Sequence, residues 1–266
     1  MELICPICRL PLSKEGRSLR CGRNHSFDMA RQGYVNLLPV QQKRSLHPGD
    51  TREQVLSRRA FLETGAYAPI VEAVKAAASG HAGPILDVGC GEGYYAVRVA
   101  EHLNAELTGL DISKEAVRCA AAQYKGHQWV CGTAAHLPIP DDCVGVLMSL
   151  FALTMPGEFH RVLKKDGIFI QVLAAQDHLM GLKSIIYPEI LLKDKISVPE
   201  LEGFSLVSST PVRFEFTAEG ERIGDLLSMT PHFWRISAQG AKRLKETATL
   251  TDTASCVVNV YRPVLG

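Results

Sequence analysis

Three cysteines and a histidine stand within the first 25 residues, in the order Cys5-x2-Cys8, twelve residues, Cys21-x3-His25. Each short spacing lets a tight turn aim two donors at one ion, and Gly22 frees the second turn sterically. Tetrahedral zinc takes four soft or borderline ligands. Cys5, Cys8, Cys21 and His25 supply a Cys3His set that leaves no position open for water, so the metal is a structural staple. About forty residues bury too little surface to fold alone, and the ion provides the missing free energy. Chemistry must then come from a second stretch, "ILDVGCGEGYY" at residues 85–95. Here an apolar strand delivers Asp87 to its end. Gly89, Gly91 and Gly93 then make a turn whose backbone can approach a ligand closely, with Glu92 inside it, before a helix begins. Asp111 in "LTGLDIS" falls at the tip of the next strand, where a carboxylate can accept hydrogen bonds from both hydroxyls of a ribose. Ile112 can pack on an adenine face. The backbone of residues 133–135, Ala134 included, can read the adenine edge from the loop after the third strand.

The elements that position these residues follow from the hydrophobic pattern. The stretch between the metal knuckles reads as a hairpin turning at Glu15-Gly16. Residues 39–50 hold two prolines and no periodicity and read as a linker or lid. Asp50 is positioned to cap a helix from Thr51, with Val55, Leu56, Phe61 and Leu62 on one face and Arg52, Arg58 and Arg59 off it. A second helix spans 68–78. Short apolar runs then alternate with helical stretches: strand 84–88, helix 93–103, strand 106–110, helix 113–124, strands 128–131 and 144–150, helix 157–163 and strand 167–174. Such alternation predicts a parallel sheet with helices on both faces and its ligand at the carboxyl ends of the strands.

The 266 residues, 46% apolar and 21% charged, suffice for a full core beside a small module. No apolar run reaches the ~20 residues needed to span a bilayer, and the first residues lack signal-peptide character, which places the chain in the cytoplasm. Cysteines there stay reduced, so Cys90, Cys119, Cys131, Cys143 and Cys256 read as core thiols. Residues 1–60 carry 11 Lys/Arg against 5 Asp/Glu, a net +6 in a chain whose total is +1. A basic head on a mildly acidic body fits a polyanionic partner, or merely a solvated surface.

The spacing D-x-G-x-G-x-G differs from the G-x-G-x-x-G of dinucleotide enzymes and resembles the first motif of S-adenosylmethionine-dependent methyltransferases. The resemblance implies the class I fold, α/β and Rossmann-like with a mostly parallel seven-stranded sheet, here behind a small N-terminal zinc ribbon. Taken together, "CPIC…CGRNH", "SFDMARQGYVNLLPVQQKRSLHPGD", "RRAFLETGAYAPI", "ILDVGCGEGYY" and "LLSMTPHFWR" resemble the bacterial large-subunit ribosomal RNA guanine-N1 methyltransferases of the RlmA family. The likeness runs over essentially the whole chain. It implies transfer of methyl from S-adenosylmethionine to N1 of one guanine in a hairpin loop of 23S rRNA, with the zinc ribbon helping to hold RNA, often in a homodimer. It also implies that Cys5, Cys8, Cys21 and His25 bind zinc, that Asp87, Gly89, Gly91, Glu92 and Asp111 fall in the cofactor motifs, and that Tyr67 and His178 close over the cofactor. The division expected is a zinc-binding domain at 1–38, a linker at 39–50 and a methyltransferase domain at 51–266.

Two departures stand out: Leu153 in "SLFALTMPGEF" where the family is expected to show proline, and Gly181 in "AAQDHLMGLKSIIY" where an acidic residue is expected. Asp177, His178 and Glu158 are candidates by location for the base that takes the N1 proton. Phe151, Tyr94, Tyr95, Phe233 and Trp234 offer faces for stacking on a flipped base, although Trp234 reads rather as core or lid packing. A small-molecule methyltransferase and a non-catalytic member that binds RNA or cofactor are the competing readings.

Overall fold

The computed structural model describes residues 1–42, 48–190 and 196–264. At the N-terminus β1 (Leu12–Glu15), β2 (Ser18–Cys21) and β3 (Ser26–Asp28) form a small antiparallel sheet. Glu15 pairs with Ser18, so the two-residue turn is Gly16-Arg17, one residue later than expected, and Gly16 takes φ +62° as such hairpins require.

The large sheet contains β4 (Val35–Asn36), β5 (Ile85–Val88), β6 (Leu107–Asp111), β7 (Gln128–Cys131), β8 (Val144–Leu150), β9 (Leu163–Ala174), β10 (Phe204–Glu219) and β11 (Thr249–Pro263). Their order is β10-β11-β9-β8-β5-β6-β7-β4. All neighbours pair parallel except β9 with β11 and β11 with β10. Every residue of β5 and β8 is buried, which is why both read as predominantly apolar runs, interrupted only by Asp87 and Ser149. The chain winds outward from β5 through β6 to β7, then returns to the other side of β5 as β8. Their carboxyl ends therefore meet at a topological switch point.

Around the sheet lie α1 (Arg52–Leu62), α2 (Ala68–Ala78), α3 (Tyr94–Leu103), α4 (Lys114–Gln123), α5 (Pro156–Val162), α6 (Met180–Ile186), α7 (Glu221–Ser228) and α8 (Ala238–Glu246). The cap of α1 is Thr51, not Asp50. The Thr51 hydroxyl accepts from the Gln54 N–H while the Gln54 side chain accepts from the Thr51 N–H, the reciprocal box that T-x-x-Q favours. Asp50 instead pairs with Arg58, which is thereby drawn inward rather than left on the solvent face.

The class I sheet is present as expected, with β4 as an additional edge strand contributed by the segment read as the zinc-binding domain. The ribbon is consequently packed onto the body. Leu3, Leu12, Val35 and Leu37 share one apolar cluster with Leu86, Leu137 and Ile139, and the Ile4 N–H donates to the Pro138 carbonyl at 3.0 Å. Of the expected linker, residues 43–47 lie outside the described residues. No helix among the described residues is long and apolar enough to cross a membrane.

Candidate cofactor cleft and metal centre

The donor atoms of Cys5, Cys8, Cys21 and His25 all lie within 4.8 Å of one another. His25 Nδ1 is 3.5 Å from Cys5 Sγ and 3.4 Å from Cys21 Sγ, and Cys8 Sγ is 3.6 Å from Cys21 Sγ. A tetrahedron with Zn–S ~2.3 Å and Zn–N ~2.0 Å has edges of roughly 3.5–3.8 Å, so the set fits the ion. Each knuckle closes through a left-handed residue, Arg9 at φ +61° and Asn24 at φ +63°; Gly22, expected to relieve the second turn, does not adopt that conformation. Burial raises the Cys21 pKa, but backbone and side-chain hydrogen bonds around it prevail and bring the thiol down to about 6, toward the thiolate that zinc binds. Among the other thiols Cys90, Cys131 and Cys256 are buried, while Cys119 and Cys143 are only partly so.

At the switch point the end of β5 delivers Asp87, 3% exposed, beneath the glycine turn. Its Oδ1 is buried with no hydrogen-bond partner, and burial, with Asp111 and Glu92 nearby, pushes its pKa up to about 8. Glu92 is also buried, its pKa lifted to about 7 by desolvation that Arg58 partly offsets. Asp111 ends β6 with its carboxylate spread across two backbone donors, Gly91 N–H at 2.9 Å to Oδ2 and Ser113 N–H at 2.8 Å to Oδ1. Desolvation raises its pKa against those bonds and the charge of Arg58. Each carboxylate oxygen retains a second lone pair for a ribose hydroxyl. The turn itself demands glycine. Gly89 sits at φ +82°, and a Cβ there would lie 2.5 Å from the Ala152 Cβ. Ala152 thus presses the exit of β8 against the turn.

Ile112 follows Asp111 half-buried, its carbonyl accepting from Cys131 Sγ. Ala134 opens a 3-10 turn, residues 134–136, in the loop after β7, capped by the Thr133 hydroxyl. Tyr67 is buried where α2 begins and meets Phe61, Phe214, Phe216 and His178 edge-on, at centroid distances from 5.3 to 6.5 Å. His178 in turn stacks on Phe151 at 6.2 Å and 27°. Phe151, 40% exposed, takes φ +54°, a strained backbone for a bulky residue and a conformation that marks functional tips. Tyr95 packs edge-on against Tyr94 at 5.1 Å, and burial pushes its phenol well above the ordinary value.

Gly181 has a structural reason. The Asp252 carboxylate, projecting from β11, accepts from the Gly181 and Leu182 N–H groups at 2.9 and 2.7 Å, and a Cβ at 181 would stand 2.9 Å from its Cγ. An acidic group is therefore supplied at this turn from elsewhere in the chain. Leu153 is 79% exposed at the lip beside Phe151.

The base candidates come out poorly. Glu158 is locked to Arg161 at 2.8 Å and accepts from the Leu137 N–H at 2.7 Å; burial raises its pKa, yet these bonds hold it below the ordinary value. Asp177 bonds Ser255 and Arg213, which keep it low. His178 accepts through Nδ1 from the Ser255 N–H, which leaves Nε2 protonated in the neutral ring. Trp234 is 70% exposed against the edge of Phe233, which rules out the core half of its reading as core or lid packing. Sequence reasoning missed the roles of Arg58, Ala152 and Asp252: Arg58 pairs with Asp50 eight residues away, but the turns that the three residues press on lie 33 to 71 residues away and leave no local signal.

Residues 3–46 match the family described as RlmA, N-terminal, a zinc ribbon, and residues 86–171 match a methyltransferase domain. The 23S rRNA (guanine(748)-N(1))-methyltransferase of Streptomyces fradiae is 33% identical, over 98% of this chain and 97% of its own. YxjB of Bacillus subtilis, provisionally named a 23S rRNA (guanine-N(1)-)-methyltransferase, is 32% identical over 91% of this chain and 90% of its own. A protein of Micromonospora griseorubida with the same provisional name is 32% identical over 99% of this chain and 98% of its own.

Proposed function

The chain belongs to the RlmA-type family of 23S rRNA (guanine-N1)-methyltransferases, and from that premise we propose that it methylates N1 of a guanine in a hairpin loop of 23S rRNA. S-adenosylmethionine supplies an electrophilic methyl on a sulfonium, and zinc supplies structure. The observation that carries the reading is the meeting of Asp87, the Gly89-Cys90-Gly91 turn and Asp111 at the switch point of the sheet. Asp87 and Glu92 would bind the cofactor from the strand end and turn, Asp111 its ribose, Ile112 and Ala134 its adenine, with Tyr67 and His178 closing the opposite side. The orphaned Asp87 Oδ1 and the crowded glycine turn fit such a group.

Methyl transfer needs the acceptor nitrogen, methyl carbon and sulfur in line and shielded from water, so positioning can supply most of the acceleration. Phe151, stacked on His178 and half-exposed, offers a platform for the target base. A base in a hairpin loop is already partly unstacked and costs less to turn out than one in a duplex. The exposed Arg17, Arg23 and Arg31 of the ribbon face water, ready for phosphates. The proposal includes the division at 1–38, 39–50 and 51–266, a homodimer as assembly and the cytoplasm as location. It is tested by incubating the protein with labelled S-adenosylmethionine and unmodified 23S rRNA, followed by nucleoside mass spectrometry. One 1-methylguanosine per rRNA is expected. Label in another nucleoside, or none, would overturn the assignment.

A further inference from the structure

The connection leaving the ribbon arrives beside the tip of β6. Gly49 lies so close to Ser113 that a Cβ on it would stand 2.7 Å from the Ser113 Cβ. The Asp50 carbonyl accepts from the Ser113 hydroxyl at 2.7 Å, and its carboxylate pairs with Arg58 Nη1 at 2.5 Å. The Arg58 side chain, 24% exposed, crosses the glycine turn: a Cβ on Gly91 would lie 3.5 Å from Nη1. Gly91 donates to Asp111, Asp111 accepts from Ser113, and Ser113 returns to Asp50. Asp50, Arg58, Gly91, Asp111 and Ser113 thus form a closed ring of contacts. Its one guanidinium faces the carboxylates of Asp50, Glu92 and Asp111.

We propose that Arg58, latched by Asp50, is a positioning residue that holds the Gly91 turn and the Asp111 and Glu92 carboxylates in the arrangement that receives the cofactor. The inference rests on the reading of this cleft as the S-adenosylmethionine site. A guanidinium at this position also favours the ionised form of the neighbouring carboxylates, because its charge opposes, without cancelling, the desolvation that protonates them. Without it, Glu92 and Asp111 take up protons at higher pH, and an Asp111 that is protonated is a poorer acceptor for ribose hydroxyls. The titratable and charged groups facing one another here are Asp50 from the connection, Arg58 from α1, Asp87 from β5, Cys90 and Glu92 from the turn, Tyr95 from α3 and Asp111 from β6.

The experiment is a calorimetric titration with S-adenosylhomocysteine between pH 6 and 9 on the full chain, for wild type, Arg58→Gln, Arg58→Lys and Asp50→Asn. Arg58→Gln is expected to bind about tenfold more weakly at pH 7 and to lose affinity at a higher pH than wild type, as pH falls. Arg58→Lys should recover part of the affinity and most of the pH profile. Asp50→Asn should move both readouts the same way by a smaller amount, about threefold, which decides the matter if Arg58→Gln folds poorly. In steady state the KM for S-adenosylmethionine should rise while kcat at saturation stays; a merely structural defect would lower kcat with the active fraction. If wild type binds and Arg58→Gln and Asp50→Asn both keep its affinity and pH profile, the positioning role is wrong. If wild type itself does not bind, the cofactor reading falls and this inference with it.

Discussion

The metal knuckles and the cofactor cleft both gather reactive side chains, yet they are built in opposite ways. The zinc ligands fall within 21 residues of sequence, aimed by two local turns, and complement one another fully once an ion is present. The cleft draws Asp87, Glu92 and Asp111 from neighbouring strand ends, and its enforcing partners come from far off: Arg58 from α1, Ala152 from beyond β8, Asp252 from β11. Like charges are crowded there, so burial drives their pKa values up and the Arg58 guanidinium opposes the rise at Glu92 and Asp111. A local site is stabilised by what it binds; a non-local one is stabilised by the fold around it.

That contrast predicts the largest effect at the ribbon. Cys21→Ser should abolish stoichiometric zinc and, because Leu3, Leu12 and Leu37 pack into the body, destabilise the whole chain by at least ~3 kcal/mol, roughly 6–12 °C in Tm. Metal analysis with a thermal scan checks it, and an unchanged Tm would mean the ribbon is only tethered. Next comes Gly93→Ala, at φ +88° with its Cβ 2.5 Å from the buried Trp129 ring, expected to cost about 2–4 kcal/mol by denaturant titration.

Asp87→Asn sharpens the electrostatic half of the comparison. A carboxylate raised to about 8 when folded, against ~3.9 unfolded, contributes stability that is complete below pH ~4 and is lost as pH rises through about 8. Cofactor-free wild type should therefore lose Tm across that window. The variant should show a flatter profile and, above pH ~8 where the wild-type carboxylate is ionised, bind S-adenosylhomocysteine at least ~10-fold more weakly, the loss of a charge-assisted hydrogen bond. Glu158→Gln should cost ~1–2 kcal/mol, by leaving Arg161 short of a partner, yet keep methyl transfer within about threefold in a single-turnover assay. A hundredfold loss of rate would make Glu158 the base after all. Smallest in stability is Trp234→Ala: exposed as it is, it should change Tm by no more than ~0.5 kcal/mol would, and leave cofactor affinity intact. Any loss of RNA affinity, ~1–3 kcal/mol for one stacked base, would assign the ring to the substrate.

What the sequence revealed tracks the same contrast. The two metal knuckles, the D-x-G-x-G-x-G turn and the strands from β5 to β8 were readable because each is encoded within a dozen residues. β10 and β11 were not read: the first half of β10, an edge strand, is exposed and carries no alternation, with a proline at 211 that only an edge tolerates, although residues 212–219 do alternate apolar and polar in step with their burial. The cap of α1 was misplaced by one residue because Asp50 and Thr51 are both good caps, and the tertiary pull of Arg58 decided between them. Arg58 and Arg59 are indistinguishable in sequence; one reaches the cleft while the other pairs with Glu63 on its own helix.

The proposed function implies a division of labour, RNA held by the basic head and cofactor by the cleft. The direct measurement is rRNA affinity as a function of salt, with S-adenosylhomocysteine affinity alongside, for wild type and for a chain carrying Arg17→Gln, Arg23→Gln and Arg31→Gln. The claim predicts cofactor affinity within twofold of wild type, weaker RNA binding, and a salt slope shallower by about 2–3, one counterion per lost phosphate contact. Unchanged RNA affinity and slope in the triple variant would contradict it.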